Sequence, residues 1–194
     1  MMSKNRTKKR KVKILCEGES EKYYLTALLE SLKSDNYDIA VQNNYKTLNN
    51  LIQKNEKIYD IVIVVIDLDI AKDKQELEYL KRLINTLKKR KDKSHIFLTH
   101  FDFEDWLRYH FKPFLRKDKL AQRLGCKNPQ ELKSKQNIYK IIQSKDGDIK
   151  NAEEYFKNLP LFCSRELKIF QEYQNTTQSN LYYFRDYMLH ISKT

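Results

Sequence analysis

Residues 61–69 read IVIVVIDLD, and this stretch decides the fold. Its first six residues are apolar and mostly β-branched, which is typical of a strand covered on both faces. The run leads directly into Asp67 and Asp69, two carboxylates separated by one residue. We therefore predict a buried strand with two acidic side chains at its carboxyl end.

The segments around this strand alternate between strand and helix patterns. Further strands are predicted at residues 11–16, 37–41 and 95–99, with helices from 21 onwards, around 48–52 and at 73–91. The β-α-β-α-β-α-β order predicts an α/β fold, with a largely parallel four-stranded sheet flanked by helices. Because ligands of such sheets bind beyond the carboxyl ends of the strands, residues that follow a strand are candidates for the functional site.

The chain after His100 is predicted to be helical. In the stretch FEDWLRYHF, apolar side chains recur at helical spacing, at Phe103, Trp106, Leu107, His110 and Phe111. More helices are predicted near residues 118–124, 136–143, 149–159, 164–174 and 181–191, with no further strand of comparable strength. We divide the chain into a basic flexible arm at 1–10, an α/β core at 11–100 and a helical C-terminal part at 101–194.

The composition argues against several classes of protein. With 3 Gly in 194 residues, the chain has no glycine-rich loop of the kind that P-loop NTPases and nicotinamide enzymes use. Its 3 Cys form no CxxC pair, which argues against a zinc finger. No apolar run approaches the ~20 residues of a membrane span, and none follows the basic N-terminus as in a signal peptide. We therefore expect a cytoplasmic protein.

The chain is strongly basic, with 38 Lys and Arg against 26 Asp and Glu and a net charge of +12. A nucleic-acid-binding protein needs such an excess to contact phosphates, but the compositional bias of an A+T-rich genome would produce it as well. Candidate phosphate contacts in the arm are Arg6, Lys8, Lys9 and Arg10, for which a solvated tail is the alternative.

Acidic residues follow two of the predicted strands. Glu17 comes directly after the first strand, Glu21 lies four residues further, and Asp67 and Asp69 end the strand at 61–66. If these strands are neighbours, the carboxylates raise one another's pKa and are best stabilised by a divalent cation. Oxygen ligands without Cys or His favour Mg²⁺ or Mn²⁺. The alternative for each single acid is a helix cap or a contact with a helix N-terminus.

Several motifs resemble those of a known protein family. LCEGE at residues 15–19, followed by IDLD at 66–69, resembles the Toprim signature of topoisomerases, bacterial primases and OLD-family nucleases. FEDWLRYHF at 103–111 is similar to the FExWLxxHF pattern of the RloB-like proteins, which are found with bacterial restriction and anti-phage loci. A Lys-rich stretch before Ile138 and the stretch IKNA at 149–152 extend this resemblance over most of the chain.

The resemblance implies a Toprim-like fold and a Mg²⁺- or Mn²⁺-dependent nuclease that cleaves DNA or RNA, tRNA included. Such a nuclease would be an effector of phage defence by abortive infection. The site residues that the resemblance implies are Glu17 as metal ligand or general base, Asp67 and Asp69 as cation ligands, Glu21 as a second glutamate and Glu104 as the residue that completes the site.

The resemblance also implies partners. RloB-like genes often neighbour a gene for an AAA- or ABC-type ATPase, so a separate ATPase subunit would supply any energy; whether the chain forms a homo-oligomer stays open. Lys135 and Lys140 are candidates for phosphate contact on charge and resemblance. The residues HFD at 100–102 replace the family's Asn-Pro lead, so we expect the start of the Trp106 helix to be shaped differently, with Asp102 as an extra carboxylate.

Two other functions stay open at this stage. The chain could be a non-catalytic nucleic-acid-binding or regulatory subunit of an ATPase-containing defence complex, whose binding would fall with salt and ignore chelators. Nucleotidyl transfer, as in primases, is the third option. We interpret the aromatic stripe around Trp106 as core packing rather than a base-stacking platform, and His110 as a hydrogen-bonded core residue.

Overall fold

The computed structural model of the chain describes residues 9–68, 74–90, 94–158 and 178–192. Its strands and helices are, in chain order, β1 (Val12–Cys16), α1 (Glu19–Ser31), β2 (Tyr37–Val41), α2 (Tyr45–Asn55), β3 (Ile61–Asp67), α3 (Lys74–Lys88), β4 (Ser94–His100), α4 (Phe103–Arg108), α5 (Lys117–Arg123), α6 (Pro129–Lys133), α7 (Ile138–Ser144), α8 (Ile149–Lys157), β5 (Gln178–Ser179), a 3₁₀ turn (Leu181–Tyr183) and α9 (Phe184–Ile191). No helix in the described ranges is both long enough and apolar enough to cross a membrane.

In the described part of the chain, five strands form one sheet in the order β2-β1-β3-β4-β5. Strand β1 pairs in parallel with β2 and β3, and β3 pairs in parallel with β4. The predicted α/β fold with its parallel four-stranded sheet and helical C-terminal part is therefore confirmed. Strands β1 and β3 are neighbours, which is the arrangement that the proposed acidic site requires.

Helices cover both faces of the sheet. Because successive side chains of a strand point to opposite faces, the apolar run of β3 supplies two cores. Ile61, Ile63 and Val65 belong to the larger core with α1 and the C-terminal helices, whereas Val62, Val64 and Ile66 pack with α2 and α3. The run is apolar without a break because neither face meets solvent.

Strand β5 lies in a region where only helices were predicted. It pairs antiparallel with β4, with Thr99 opposite Ser179. Polar contacts hold it: the hydroxyls of these two residues lie 3.1 Å apart, and the Leu98 N–H donates to Asn180 Oδ1 at 2.6 Å. Two residues give no alternation of apolar and polar side chains, so the sequence carries no strand signal here.

Helix α4 is shorter than the apolar spacing predicted. It ends at Arg108, although the apolar stripe continues to Phe111. Pro113 lies close beyond, and the residue before a proline is disfavoured in the helical conformation. The chain turns instead, and the Leu115 N–H donates to the Arg108 carbonyl at 3.2 Å. His110 is buried nevertheless. The predicted helix at 164–174 lies outside the described residues, and the division into arm, core and helical part stays a prediction.

His110 is the core histidine that the sequence predicted. Its Nε2 lies 2.8 Å from the Tyr24 hydroxyl, and its Nδ1 lies 3.1 Å from the Trp106 carbonyl oxygen. Burial lowers the pKa of His110 to about 4. The ring is therefore neutral at pH 7, and protonation would place an unsolvated charge in the core.

We expect His110 to make folding sensitive to acid. The pKa of an unfolded histidine is about 6.5, so as the pH falls the unfolded chain binds a proton before the folded protein does. The stability that neutral His110 provides is complete above about pH 6.5 and is lost toward about pH 4. In urea unfolding, the difference in the free energy of unfolding between the wild type and His110→Gln should shrink between about pH 7.5 and about pH 4.5. Burial also lowers the pKa of His95 to about 4, but His95 is present in both proteins, so its contribution cancels. A constant difference would contradict this role.

Candidate functional site

The carboxyl ends of β1 and β3 lie side by side, and their first acidic residues are in contact. The register pairs Cys16 with Val65, which places Glu17 and Asp67 just beyond the paired residues. The main-chain N–H of Asp67 donates to Glu17 Oε2 at 3.0 Å. Two acidic residues 50 positions apart in the sequence thus meet at one edge of the sheet.

Asp67 is held from three further directions. The buried Tyr45 hydroxyl donates to the Asp67 carbonyl oxygen, and the Phe103 N–H donates to Asp67 Oδ2 at 2.8 Å. The next residue, Leu68, donates its N–H to the Thr99 carbonyl at 2.9 Å. The end of β3 is therefore fixed by α2, by β4 and by the start of α4, so the Asp67 carboxylate has little freedom to move.

Gly18 lets the Glu21 carboxylate approach the chain closely. A Cβ atom on Gly18 would lie only 2.7 Å from Glu21 Oε2, closer than real Cβ contacts. The Ser20 hydroxyl also donates to Glu21 Oε2, at 3.1 Å. The Glu-Gly motif therefore has a steric basis, and Glu21 is only 4% exposed although it lies in the first turn of α1.

The start of α4 contributes two more acidic residues. Glu104, which is buried, faces the same cleft as Glu17 and Asp67. Asp102 caps α4 by accepting the Asp105 N–H at 3.1 Å, and it also forms an ion pair with Lys117. Asp102 thus adds the carboxylate expected there, although a cation neutralises it.

These residues line a cleft of about 660 Å³ at the carboxyl edge of the sheet. The acidic residues among its described walls are Glu17, Glu19, Glu21, Asp67, Asp102 and Glu104. The cationic side chain among those described walls is Lys133, at the end of α6. The cleft therefore carries a concentrated negative charge in a protein whose net charge is +12.

Burial and mutual repulsion make this charge costly. Burial raises the pKa of Asp67 well above its usual range, and the charges of Glu21 and Glu17 raise it further. Burial also raises the pKa of Glu21, and the charge of Glu104 adds to this effect while Lys133 opposes it. The pKa of Glu104 is raised as well, chiefly by burial. Protons or a bound cation would relieve the repulsion.

The donor set fits a hard divalent cation in chemistry, but the ligands are not gathered around one point. Carboxylate oxygens suit Mg²⁺ or Mn²⁺, and burial raises the pKa of the nearby Cys16 thiol, which disfavours a thiolate ligand. Among the residues that the structure describes, no group of three or more Asp, Glu, His or Cys side chains is placed to hold one metal ion. Asp69, one of the predicted ligands, lies outside the described residues.

The basic arm begins at the opposite end of the sheet from the cleft. Lys9 and Arg10 precede the amino end of β1, and the ammonium group of Lys9 lies 2.7 Å from Asp35. Neither residue lines the acidic cleft. Arg6 and Lys8 lie outside the described residues. Contact of this arm with nucleic acid therefore stays a prediction.

The two later lysine candidates are not among the described residues that line the cleft, although Ser134, which precedes Lys135, is. Lys140 forms an ion pair with Glu30 at 2.8 Å, and Lys135 Nζ lies 3.3 Å from the Gly125 carbonyl oxygen. Their contact with phosphate stays a prediction. His100, at the end of β4, is buried and is not one of the residues that line the cleft.

Sequence reasoning missed two residues of the site. Tyr45 fixes the main chain of Asp67, and Lys133 is a cation in an acidic cleft. A single tyrosine at a helix start and one lysine among many carry no motif. Only the packing of α2 and α6 around the sheet edge shows what they do.

Comparisons with known proteins give one family and several similar structures. The family described as RloB-like protein matches residues 12–182. The chain is similar to the C-terminal region of the Burkholderia pseudomallei OLD protein, with a TM-score of 0.40, 17% identity, and coverage of 77% of this chain and 98% of that one. It is also similar to the C-terminal region of the Xanthomonas campestris pv. campestris OLD protein, with a TM-score of 0.39, 12% identity, and coverage of 94% and 98%. No curated protein sequence matches.

We expect Asp67→Asn to stabilise the protein when divalent cations are removed. The change removes a buried acidic group whose ionisation is opposed by burial and by the charges of Glu21 and Glu17, while an amide oxygen can still accept the Phe103 N–H. The free energy of unfolding at neutral pH should rise by about 1 kcal/mol, which raises the Tm by about 2–4 °C. Thermal unfolding in EDTA measures this. The matched control is Asp146→Asn, at a side chain that is 95% exposed, which should stay within about 0.5 kcal/mol of the wild type. A lower Tm for Asp67→Asn would show that the carboxylate is not repelled.

Proposed function

This chain belongs to the RloB-like family, and from that premise we propose that it is a metal-dependent nuclease that cleaves DNA or RNA, tRNA included. The observation that carries the proposal is the meeting of Glu17 and Asp67 at the ends of β1 and β3, with Glu21 and Glu104 in the same cleft. So much negative charge would repel a phosphate backbone unless a cation neutralised it. The cleft therefore favours phosphodiester chemistry that depends on a divalent cation.

The candidate ligands of such a cation are Glu17, Glu21 and Asp67, which the described arrangement does not gather around one ion, together with Asp69. When bound, Mg²⁺ or Mn²⁺ would polarise the scissile phosphate and lower the pKa of the attacking water. Glu104 would take the proton of that water and pass it to the leaving oxygen. Its raised pKa suits this role, since a general base works best when its pKa lies near the operating pH.

Lys133 would stabilise the charge that develops on the phosphate during cleavage. It lines the cleft with the carboxylates, and its charge opposes the burial-driven rise in the pKa of Glu21 and of Glu104. A cation in this position can approach a non-bridging phosphate oxygen while the carboxylates hold the divalent ion. Lys133 therefore supplies the positive charge that acidic ligands alone cannot give.

A non-catalytic role is the second candidate, and one observation favours it. Within the described ranges, no three Asp, Glu, His or Cys side chains are gathered around one point. This is the arrangement that we would expect of a chain that has lost catalytic activity. The chain would then bind nucleic acid or regulate a separate ATPase subunit of a phage-defence complex. Binding that falls steeply with salt and does not change with EDTA would support this candidate over the nuclease.

We expect Asp67→Asn to abolish cleavage. Purified protein is incubated with single-stranded DNA, duplex DNA and RNA, including tRNA, in Mg²⁺, in Mn²⁺ and in EDTA. Loss of the carboxylate that both Glu17 and Phe103 position should lower the cleavage rate by about 10²-fold or more, and EDTA should do the same to the wild type. Asp146→Asn is the control and should cleave as the wild type does. Equal cleavage by Asp67→Asn, in a folded protein, would remove the nuclease proposal.

We expect Lys133→Ala to lower turnover more than binding. Its proposed contact strengthens as charge develops, so kcat should fall by about 10²-fold while KM changes by less than about threefold. Single-turnover cleavage with excess enzyme, together with equilibrium binding in EDTA, separates the two quantities. Lys54→Ala, at an exposed lysine of α2 that is not among the described residues lining the cleft, is the matched control and should change neither. A rise in KM alone would assign Lys133 to substrate binding only.

A further inference from the structure

Three aromatic rings are stacked beyond the far end of α4. Tyr109 contacts both of the others, with its ring centroid 4.0 Å from Tyr155 and 5.0 Å from Phe114 and interplanar angles of 24° and 25°. The Phe114 and Tyr155 centroids lie 6.3 Å apart with an interplanar angle of 47°, so the three rings form a triangle. The Arg108 guanidinium lies over the Tyr109 ring at 4.4 Å. We call Phe114, Tyr109 and Tyr155 the ring stack.

Two rings of the ring stack are open to solvent although the third is not. Tyr109 is buried, whereas Phe114 is 54% exposed and Tyr155 is 37% exposed. Single exposed apolar residues are common on protein surfaces, but here two exposed rings contact the same buried ring. The ring stack therefore exposes aromatic surface to solvent at two neighbouring residues.

The segment that carries Tyr109 and Phe114 is basic, whereas Tyr155 follows Glu153 and Glu154 on α8. Residues 108–119 contain five Lys or Arg side chains against one acidic residue. Lys112 and Glu154 form an ion pair in which both side chains are about two-thirds exposed, and Arg116 and Asp118 form another exposed pair. Such pairs contribute little to stability, so these cations can exchange a carboxylate for a phosphate at small cost.

The same segment leads back to the acidic cleft. Helix α4 has Glu104 in its first turn and Arg108 at its end, and its six residues span about 9 Å. Beyond the ring stack the chain returns, and Lys117 pairs with Asp102 in the wall of the cleft. One short helix therefore connects the segment that carries the ring stack to the cleft.

We infer that the ring stack and its adjoining basic segment bind unpaired bases of a single-stranded nucleic acid and guide that strand into the cleft. This inference rests on the proposed nuclease function, to which it adds the class of substrate. Aromatic faces beside Lys and Arg are the chemistry that binds single strands, because the rings stack on bases and the cations contact the backbone. A base pair in a duplex has its faces covered by its neighbours and cannot stack in this way.

A protein partner fits this surface less well. Two exposed ring ends are much smaller than the roughly 800 Å² per partner that a stable interface buries. The basic segments of two copies of this chain would also repel each other. A polyanion with flat apolar bases satisfies both the charge and the shape.

The test is the affinity of the intact chain for a labelled single-stranded oligonucleotide of about 20 nucleotides, as DNA and as RNA, measured by fluorescence anisotropy in EDTA. Phe114→Ala should weaken single-strand binding by about tenfold and leave binding to duplex of the same length unchanged. Phe114→Trp should bind at least as well as the wild type, whereas Phe114→Leu, which is apolar but has no ring, should not. Ile58→Ala is the matched control, since Ile58 is 68% exposed elsewhere on the surface and should not affect binding.

The results separate this inference from the proposed function. Unchanged single-strand binding by Phe114→Ala, equal binding by Phe114→Leu and Phe114→Trp, or no single-strand binding by the wild type would overturn the inference. So would a change in sedimentation of Phe114→Ala, which would assign the ring stack to self-association. If instead Phe114 proves necessary for binding but no cation supports cleavage, the stacking surface stands and the nuclease proposal fails.

Discussion

The contact between the Asp67 N–H and Glu17 Oε2 is the constraint on which the rest of the site depends. It joins the ends of two neighbouring parallel strands through a side chain, where the ladder of main-chain hydrogen bonds has stopped. The contact places one carboxylate directly beside the residue that carries another. The other acidic residues of the cleft add to the repulsion between Glu17 and Asp67. The packing of the apolar strands behind the site holds these two residues together.

That repulsion explains why so many contacts surround the acidic residues. The Tyr45 hydroxyl fixes the main chain of Asp67 and the Phe103 N–H holds its carboxylate, while Gly18 leaves room for the carboxylate of Glu21. A buried acidic group with a raised pKa works against folding at neutral pH, since the unfolded chain can ionise it at less cost. Proteins keep such groups where function requires them, and the surrounding contacts offset the cost.

The sequence predicted the parts of the fold that have a repeating pattern. The unbroken apolar run of β3 indicated a strand buried on both faces, and the alternation of strands and helices indicated a parallel sheet. It did not determine which strands are neighbours, so the meeting of Glu17 and Asp67 stayed conditional until the strand order was seen. Tyr45 and Lys133 were missed because a residue that acts through one long-range contact leaves no periodic signal. The early end of α4 was missed because an apolar stripe reports burial, and His110 and Phe111 remain buried after the helix has stopped.

Helix α4 connects the two unusual surfaces of the molecule. One end of it brings the Phe103 N–H to Asp67 and Glu104 to the cleft, and the other end begins the segment that carries the ring stack. The ion pair between Lys117 and Asp102 closes this segment back onto the start of the helix. The net charge of +12 attracts a polyanion from a distance, but the cleft itself repels it at short range. Under the proposed function, a strand could approach the carboxylates only where other contacts hold it, and the basic aromatic segment beyond α4 is our candidate for those contacts.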